Sequence, residues 1–177
     1  ARAELAAGDL VVVSQKIVSK AEGRLRKLSS VLPGAEARKL AAVLGKEPAL
    51  VQLVLDESAE VLRAERNVLI VETVHGLVCA NAGIDSSNLP DDDAVCLLPE
   101  DPDASARRIR AELTAASGAA PLGVVIADSF GRAWRLGQAE VAIGCAGLTP
   151  LDDWRGRRDS SGRELEATLI AIADEAA

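Results

Sequence analysis

A chain of 177 residues, 49% of them hydrophobic, is long enough for one domain with a real core. Its formal net charge of −7 argues against a nucleic-acid partner, because a phosphate backbone demands a basic face. No apolar run approaches the roughly 20 residues of a membrane-spanning helix, and no signal-like N-terminus is visible, so no membrane association and a cytoplasmic location are expected. Cys79, Cys96 and Cys145 lie far apart without a CxxC pair, which excludes zinc-site spacing. They read as buried thiols in a reducing compartment, the alternative being one reactive thiol. The chain has no Met and stops inside the helical pattern IADEAA, so a fragment of a longer protein is expected.

In chain order, DLVVV (9–13) follows Gly8 and reads as a buried strand. In the polar segment SQKIVSKAEGR, Ile17 and Val18 among polar neighbours permit an extended segment. Residues 33–44 are helical in pattern, with Pro33 near the start and Gly45 at the stop. A second helix is predicted over 48–63, with Leu50, Leu53, Val54 and Val61 on one face. NVLIVE (67–72) and 76–80 read as strands, with His75 and Gly76 at their connection. A short strand over 94–98 precedes a capped helix over 99–118, with Asp101 or Asp103 at its start, Ile109 and Leu113 inward and Gly118 past its end. LGVVIA (122–127) is a central buried strand, and 141–146 is another. From Arg163 onward a helix is expected to bury Leu165, Leu169, Ile170 and Ile172. Several strands are adjacent in sequence. That favours an α/β or mixed α+β fold, with mixed sheets and packed helices in a single domain over 1–177, and not a strictly parallel sheet.

Two acids stand out. Asp85 and Asp128 each follow a strand-like run and precede hydroxyl residues, which suggests a site for magnesium or manganese. Strand ends hold such ligands rigidly. Each acid alone reads equally as the cap of a turn or helix. Ser129 would add a neutral oxygen, and Asn88 would reach a phosphate or a nucleobase. Lys16, Lys20 and Arg24 form a small basic cluster after the first strand, suited to phosphate or else a solvated edge. Neither GxxxxGK[ST] nor GxGxxG occurs, so a nucleotide would not use a P-loop or a Rossmann turn. GRAWRLGQ (131–138) sets Trp134 between Arg132 and Arg135, with Phe130 just before. Guanidinium and indole suit an anionic, planar substrate; the alternative is a loop packed by its own Trp. His75, the only histidine, reads as a turn residue or a general base, and no GxSxG or hydrolase-type Cys–His spacing is visible.

VVVSQKIVSKAEGR, ETVHGLVCANAGIDSSN, DSFGRAWRLGQAEVAIGCAGLTPLDDWRG and GRELEATLIAIADE together resemble the coenzyme F420-0:γ-glutamyl ligase family, in family order over most of the chain. The resemblance is to the actinobacterial type, the ligase half of two-domain proteins whose nitroreductase-like second half these residues do not include. It implies GTP- and divalent-metal-dependent addition of L-glutamate to a deazaflavin coenzyme precursor. The precursor's carboxylate would attack the γ-phosphorus of GTP, and the glutamate amine would displace phosphate from the acyl phosphate. By resemblance, Asp85 and Asp128 are metal ligands, and Ser129 stands where a hydroxyl helps a second metal. Lys20 and Asn88 contact GTP, and Gln15 occupies a GTP-contacting position often held by a small hydroxyl residue. Arg132, Trp134 and Arg135 are expected to face the precursor. The family fold implies a mixed α/β arrangement in an intertwined homodimer. Family members also carry further N- and C-terminal segments with nucleotide and metal contacts, so this chain is expected to be incomplete as an enzyme. Two rivals are a metal-dependent phosphohydrolase on the same acids and an inactive nucleotide-binding module.

Overall fold

The computed structural model describes residues 4–89 and 91–177. In chain order the first elements are β1 (Leu10–Ser14), α1 (Gln15–Ala21), β2 (Leu25–Lys27), α2 (Ala35–Leu44), α3 (Pro48–Asp56), β3 (Ser58–Glu65), β4 (Val68–Thr73) and β5 (Val78–Ala80). β6 (Ala94–Cys96), α4 (Pro102–Ser117), β7 (Gly123–Gly131), β8 (Gln138–Ala146), β9 (Asp152–Asp153), β10 (Leu169–Ile170) and α5 (Ile172–Ala176) follow. The fold is mixed α+β, as the interleaved pattern predicts. Two compact units emerge, each assembled from separate stretches of chain. The first holds the described residues up to Ser14, Pro102–Asp128 and Glu140–Ala177; the second holds Gln15–Asp101 and Ser129–Ala139. Among the described residues no helix is long and apolar enough to cross a membrane.

In the first unit β7 lies between β1 and β8. β1 pairs with it in parallel, from Leu10 opposite Gly123 to Ser14 opposite Ala127. Val124, Val125, Ile126 and Ala127 are all buried, the continuous apolar run of a strand covered on both faces. At Gly123 a Cβ would sit 2.6 Å from Leu10 Cδ1, so a larger residue there would displace the Leu10 side chain. Gly144 lets β8 approach the start of α4, where a Cβ would lie 2.4 Å from the Pro102 carbonyl carbon. The expectation that 9–13 is a buried strand is corrected: Leu10 and Val12 are exposed and Val11 and Val13 half-buried, an alternation that leaves one face of β1 open to solvent. The helix expected from Arg163 is also corrected. Trp154 N–H donates to Thr168 O, Gly156 N–H to Leu165 O and Leu165 N–H to Arg157 O, so these amides serve a cross-chain ladder and not a helix. The Asp159 carboxylate accepts from the Ser161 and Arg163 N–H groups and closes that turn. Helix begins only at Ile172, and Leu169 is exposed.

The second unit is built on the antiparallel sheet β3-β4-β5, with Ala37, Ala41 and Leu44 of α2 and Val51 and Val54 of α3 packed against Leu69 and Val71. The i, i+4 spacing of Ala37 and Ala41 supplies the apolar stripe of α2. Gly45 ends the helix in the left-handed conformation (φ 62°), as the sequence predicts. α3 stops at Asp56, short of the predicted Arg63. Ser58 turns its hydroxyl back to the Val54 carbonyl, and Val61 pairs with Val71 in β3. Local helix propensity there yields to the β4 partner. Arg66 and Asn67, both at positive φ, make the two-residue turn that joins β3 to β4. The segment 15–21 is a helix and not extended: Gln15, Val18 and Ser19 are its buried face.

Candidate functional site

A polar constellation in the second unit forms where α1 faces the loop after β5. The loop opens with Asn81, Ala82 and Gly83, all at positive φ (51°, 55° and 69°). Gly83 is forced as well by packing, since a Cβ would lie 2.9 Å from the Leu98 side chain. Asp85 then exchanges two main-chain hydrogen bonds with Cys96, at 3.1 and 2.8 Å. It is therefore pinned to β6 by an isolated bridge and does not sit at the exit of a strand.

The Asp85 side chain is a hub. Ser87 N–H donates to Oδ1 at 2.7 Å, and Ser87 Oγ to Oδ2 at 2.9 Å. The Lys16 ammonium pairs with Oδ2 as well. Partial burial pushes the Asp85 carboxyl up. The Lys16 hydrogen bond, the two Ser87 donors and the Lys16 charge together outweigh burial and hold it below the ordinary carboxylate range. Lys16 Nζ also donates to Ser87 Oγ at 2.8 Å and Ser87 O at 2.9 Å. One helical turn further, Lys20 Nζ donates to Asn88 O at 2.9 Å. Lys20, Asp85 and Asn88, each singled out in the sequence, thus share one constellation. Ser87 was missed; the signal for it was the Asp-x-Ser spacing that lets a carboxylate take the amide two residues on.

Gln15 lies on the opposite face of α1. It is 2% exposed, and its Nε2 donates to Ser19 Oγ at 2.6 Å and Leu97 O at 3.2 Å. Cys96 lies beside this pair. Burial pushes its thiol up, more than the neighbouring Ser19, Gln15, Lys16 and Lys20 lower it. Arg24, grouped with the lysines in the sequence, has a structural place. It is buried, donating to Leu98 O at 2.7 Å, Glu57 at 2.8 Å and Glu100 at 3.2 Å.

Asp128 belongs to the first unit and is half-buried; Ser129 is exposed. β7 continues past both to Gly131, so Asp128 neither ends a strand nor caps a helix. Consecutive strand positions face opposite sides, which separates the directions of these two side chains. Among the described residues no group of three or more His, Cys, Asp and Glu gathers as a metal cluster. The donor type at Asp85 nonetheless fits a hard cation: an ionised carboxylate beside a hydroxyl and a carbonyl oxygen.

Residues 132–137, between β7 and β8, are exposed throughout. Arg132 braces the loop, donating to Leu136 O at 2.8 Å and Gly137 O at 3.4 Å. Trp134 is 101% exposed at φ 58°, so the loop is not packed by its own Trp. His75 sits in the β4–β5 turn with Nε2 2.9 Å from Pro99 O and 3.2 Å from Glu100 O. Nε2 therefore carries the proton, and Nδ1 is buried with no hydrogen-bond partner among the described residues. The Nε2 contacts tie the turn to Pro99 and Glu100. In the first unit a cleft of about 290 Å³ is lined by Asp103, Gly144, Cys145, Pro150 and Asp174. Its acids are engaged: Asp103 accepts from Cys145 N–H and Asp174 from Ala142 N–H, each at 2.8 Å.

A family model described as F420-0:Gamma-glutamyl ligase matches residues 1–177. A coenzyme F420:L-glutamate ligase of Methanothermobacter thermautotrophicus is 47% identical over 174 residues, covering 98% of this chain and 68% of that relative. One from Haloarcula marismortui is 46% identical over 182 residues, covering 99% and 70%. One from Methanocaldococcus jannaschii is 43% identical over 170 residues, covering 96% and 67%.

Proposed function

Because the chain belongs to the F420-0:γ-glutamyl ligase family, we propose that it joins L-glutamate to the deazaflavin precursor of coenzyme F420, with GTP as co-substrate. The observation that carries this reading is the family match over residues 1–177, together with relatives named coenzyme F420:L-glutamate ligase over 96–98% of the chain. In the proposed sequence a carboxylate oxygen of the precursor attacks the γ-phosphorus of GTP, and GDP leaves. The amine of L-glutamate then attacks the acyl carbon, the bond to phosphate breaks, and the amine proton leaves with it. No protein nucleophile is needed, consistent with the held His75 ring and the raised Cys96 thiol.

Lys20 and Asn88 are assigned to the nucleotide, an assignment supported by the direct contact of Lys20 on α1 with the Asn88 carbonyl on the facing loop. Gln15 joins them from inside, where its buried amide fixes the helix that carries Lys20. Asp85, Asp128 and Ser129 are assigned as oxygen ligands of magnesium or manganese, which when bound would neutralise phosphate charge. Arg132, Trp134 and Arg135 are assigned to the anionic, planar precursor. A homodimer in the cytoplasm completes the proposal. Exposed Leu10, Val12, Leu32 and Val43 are apolar surface of the kind a second copy covers, and no disulfide joins Cys79, Cys96 and Cys145.

The test is product analysis by mass spectrometry after incubation with the precursor, GTP, manganese and L-glutamate. Amide-linked glutamate with stoichiometric GDP supports ligation. GDP without amide makes the protein a phosphohydrolase, and GTP binding without turnover makes it a nucleotide-binding module.

A further inference from the structure

An ammonium group has three N–H donors, and the structure gives Lys16 three oxygens for them. These are the Asp85 carboxylate, the Ser87 hydroxyl at 2.8 Å and the Ser87 carbonyl at 2.9 Å. One carboxylate, one hydroxyl and one carbonyl are the donor set that a hard cation takes. The Lys16 side chain is 19% exposed, so its charge is drawn well into this pocket. The pocket is rigid for reasons independent of Lys16. Asp85 is pinned to Cys96 through the main chain, and Ser87 N–H and Oγ are bonded to the Asp85 carboxylate. Lys16, by contrast, reaches it on a flexible four-carbon stem. A fixed oxygen pocket filled by a movable cation is an ion-exchange site.

We propose that Lys16 is the resident counter-cation of the Asp85–Ser87 pocket, and that a divalent cation binds there only by displacing it. The inference rests on the assignment of Asp85 as a metal ligand and adds Ser87 to the pocket and Lys16 as its competitor. A divalent ion and an ammonium on the same carboxylate oxygen would repel at contact distance, so occupancy is exclusive. Displacement leaves Lys16 one turn from Lys20 on the same face of α1, a pair of ammonium groups suited to an anion. Ion binding thereby also changes which charges the helix presents.

Two measurements on the purified protein test this. First, calorimetry with manganese(II) is compared for the wild type and Lys16→Met, which keeps an apolar stem and removes the charge. Loss of a competing, partly exposed ion pair should tighten manganese binding about fivefold. Second, lysine acetylation by a succinimidyl ester is followed by peptide mass spectrometry with and without manganese. Lys16 should label slowly without the ion and severalfold faster with it, while exposed Lys39 labels at the same rate in both. Should Lys16→Met fail to fold, Ser87→Ala serves in its place: with one oxygen gone, the ion-free labelling of Lys16 should rise. Equal manganese affinity in the wild type and Lys16→Met overturns the exchange and leaves the metal assignment standing. Tighter binding with unchanged Lys16 labelling also overturns it, because Lys16 would then only repel the ion from where it stands. Absence of manganese binding in both proteins overturns the metal assignment and the exchange together.

Discussion

The Lys20 ammonium donates to the main-chain carbonyl of Asn88 at 2.9 Å, across 68 residues of sequence. The contact ties α1 to the loop that carries Asp85, and it holds Lys20 at the mouth of that loop. Lys20→Ala should therefore weaken GTP binding more than Lys46→Ala, whose side chain lies just beyond α2. A charge-assisted contact contributes about 1.5–3 kcal/mol, or roughly a tenfold to hundredfold loss in affinity. Calorimetric titration with GTP decides it, and equal affinities for the two variants would count against the nucleotide assignment.

Asp85→Asn and Asp128→Asn should each lose manganese affinity strongly with little loss of folding. Asp85 is anchored by its main chain to Cys96, so the isosteric amide leaves that bridge in place. Asp128 lies inside β7, whose pairing with β1 is likewise through the backbone. Removal of one anionic ligand weakens a hard-cation site far more than it disturbs the strand. Unchanged manganese affinity in both variants would sink the assignment.

Arg24 behaves differently from the lysines that precede it. Its guanidinium is buried, and Glu57 and Glu100 neutralise it while the Leu98 carbonyl takes its Nε–H. Arg24→Met should lower stability by about 3 kcal/mol, because one member of a buried pair is lost and Glu57 is left uncompensated. Urea unfolding measures this directly. GTP affinity per folded molecule should stay near the wild-type value; a selective loss of GTP binding with unchanged stability would return Arg24 to the phosphate site.

Arg24 also shows where the sequence was legible and where it was not. The basic cluster was visible, but only tertiary contacts separate a buried Arg paired with distant Glu57 from an Lys20 turned to the loop. Strands with continuous apolar runs, such as 124–127, declared themselves through burial on both faces. Helix ends written in Gly45 and Gly118 were equally plain. The segments 57–63 and 163–170 read as helix because their apolar spacing is compatible with a 3.6-residue period. Their partners, β4 and residues 152–158, lie elsewhere in the sequence, and a propensity argument has no access to them. Of the polar constellation, the residue types at 85 and 88 were informative. The Lys16–Asp85 contact was not, because it depends on α1 being a helix.

The loop 132–137 offers the sharpest kinetic test. Trp134 stands fully exposed in left-handed backbone, while Arg132 clamps the Leu136 and Gly137 carbonyls. An indole held out in this way contributes nothing to packing, so Trp134→Ala should leave the melting temperature unchanged. Its cost should appear in catalysis instead. On the active enzyme, Trp134→Ala and Arg135→Ala should raise KM for the deazaflavin precursor about tenfold, the scale of losing one stacking or charge-assisted contact. KM for GTP should hardly move. Arg132→Ala should raise the same KM and also loosen the loop, which faster proteolysis near Gly137 would report. If the GTP value rises in place of the precursor's, the loop belongs to the nucleotide and the precursor binds elsewhere.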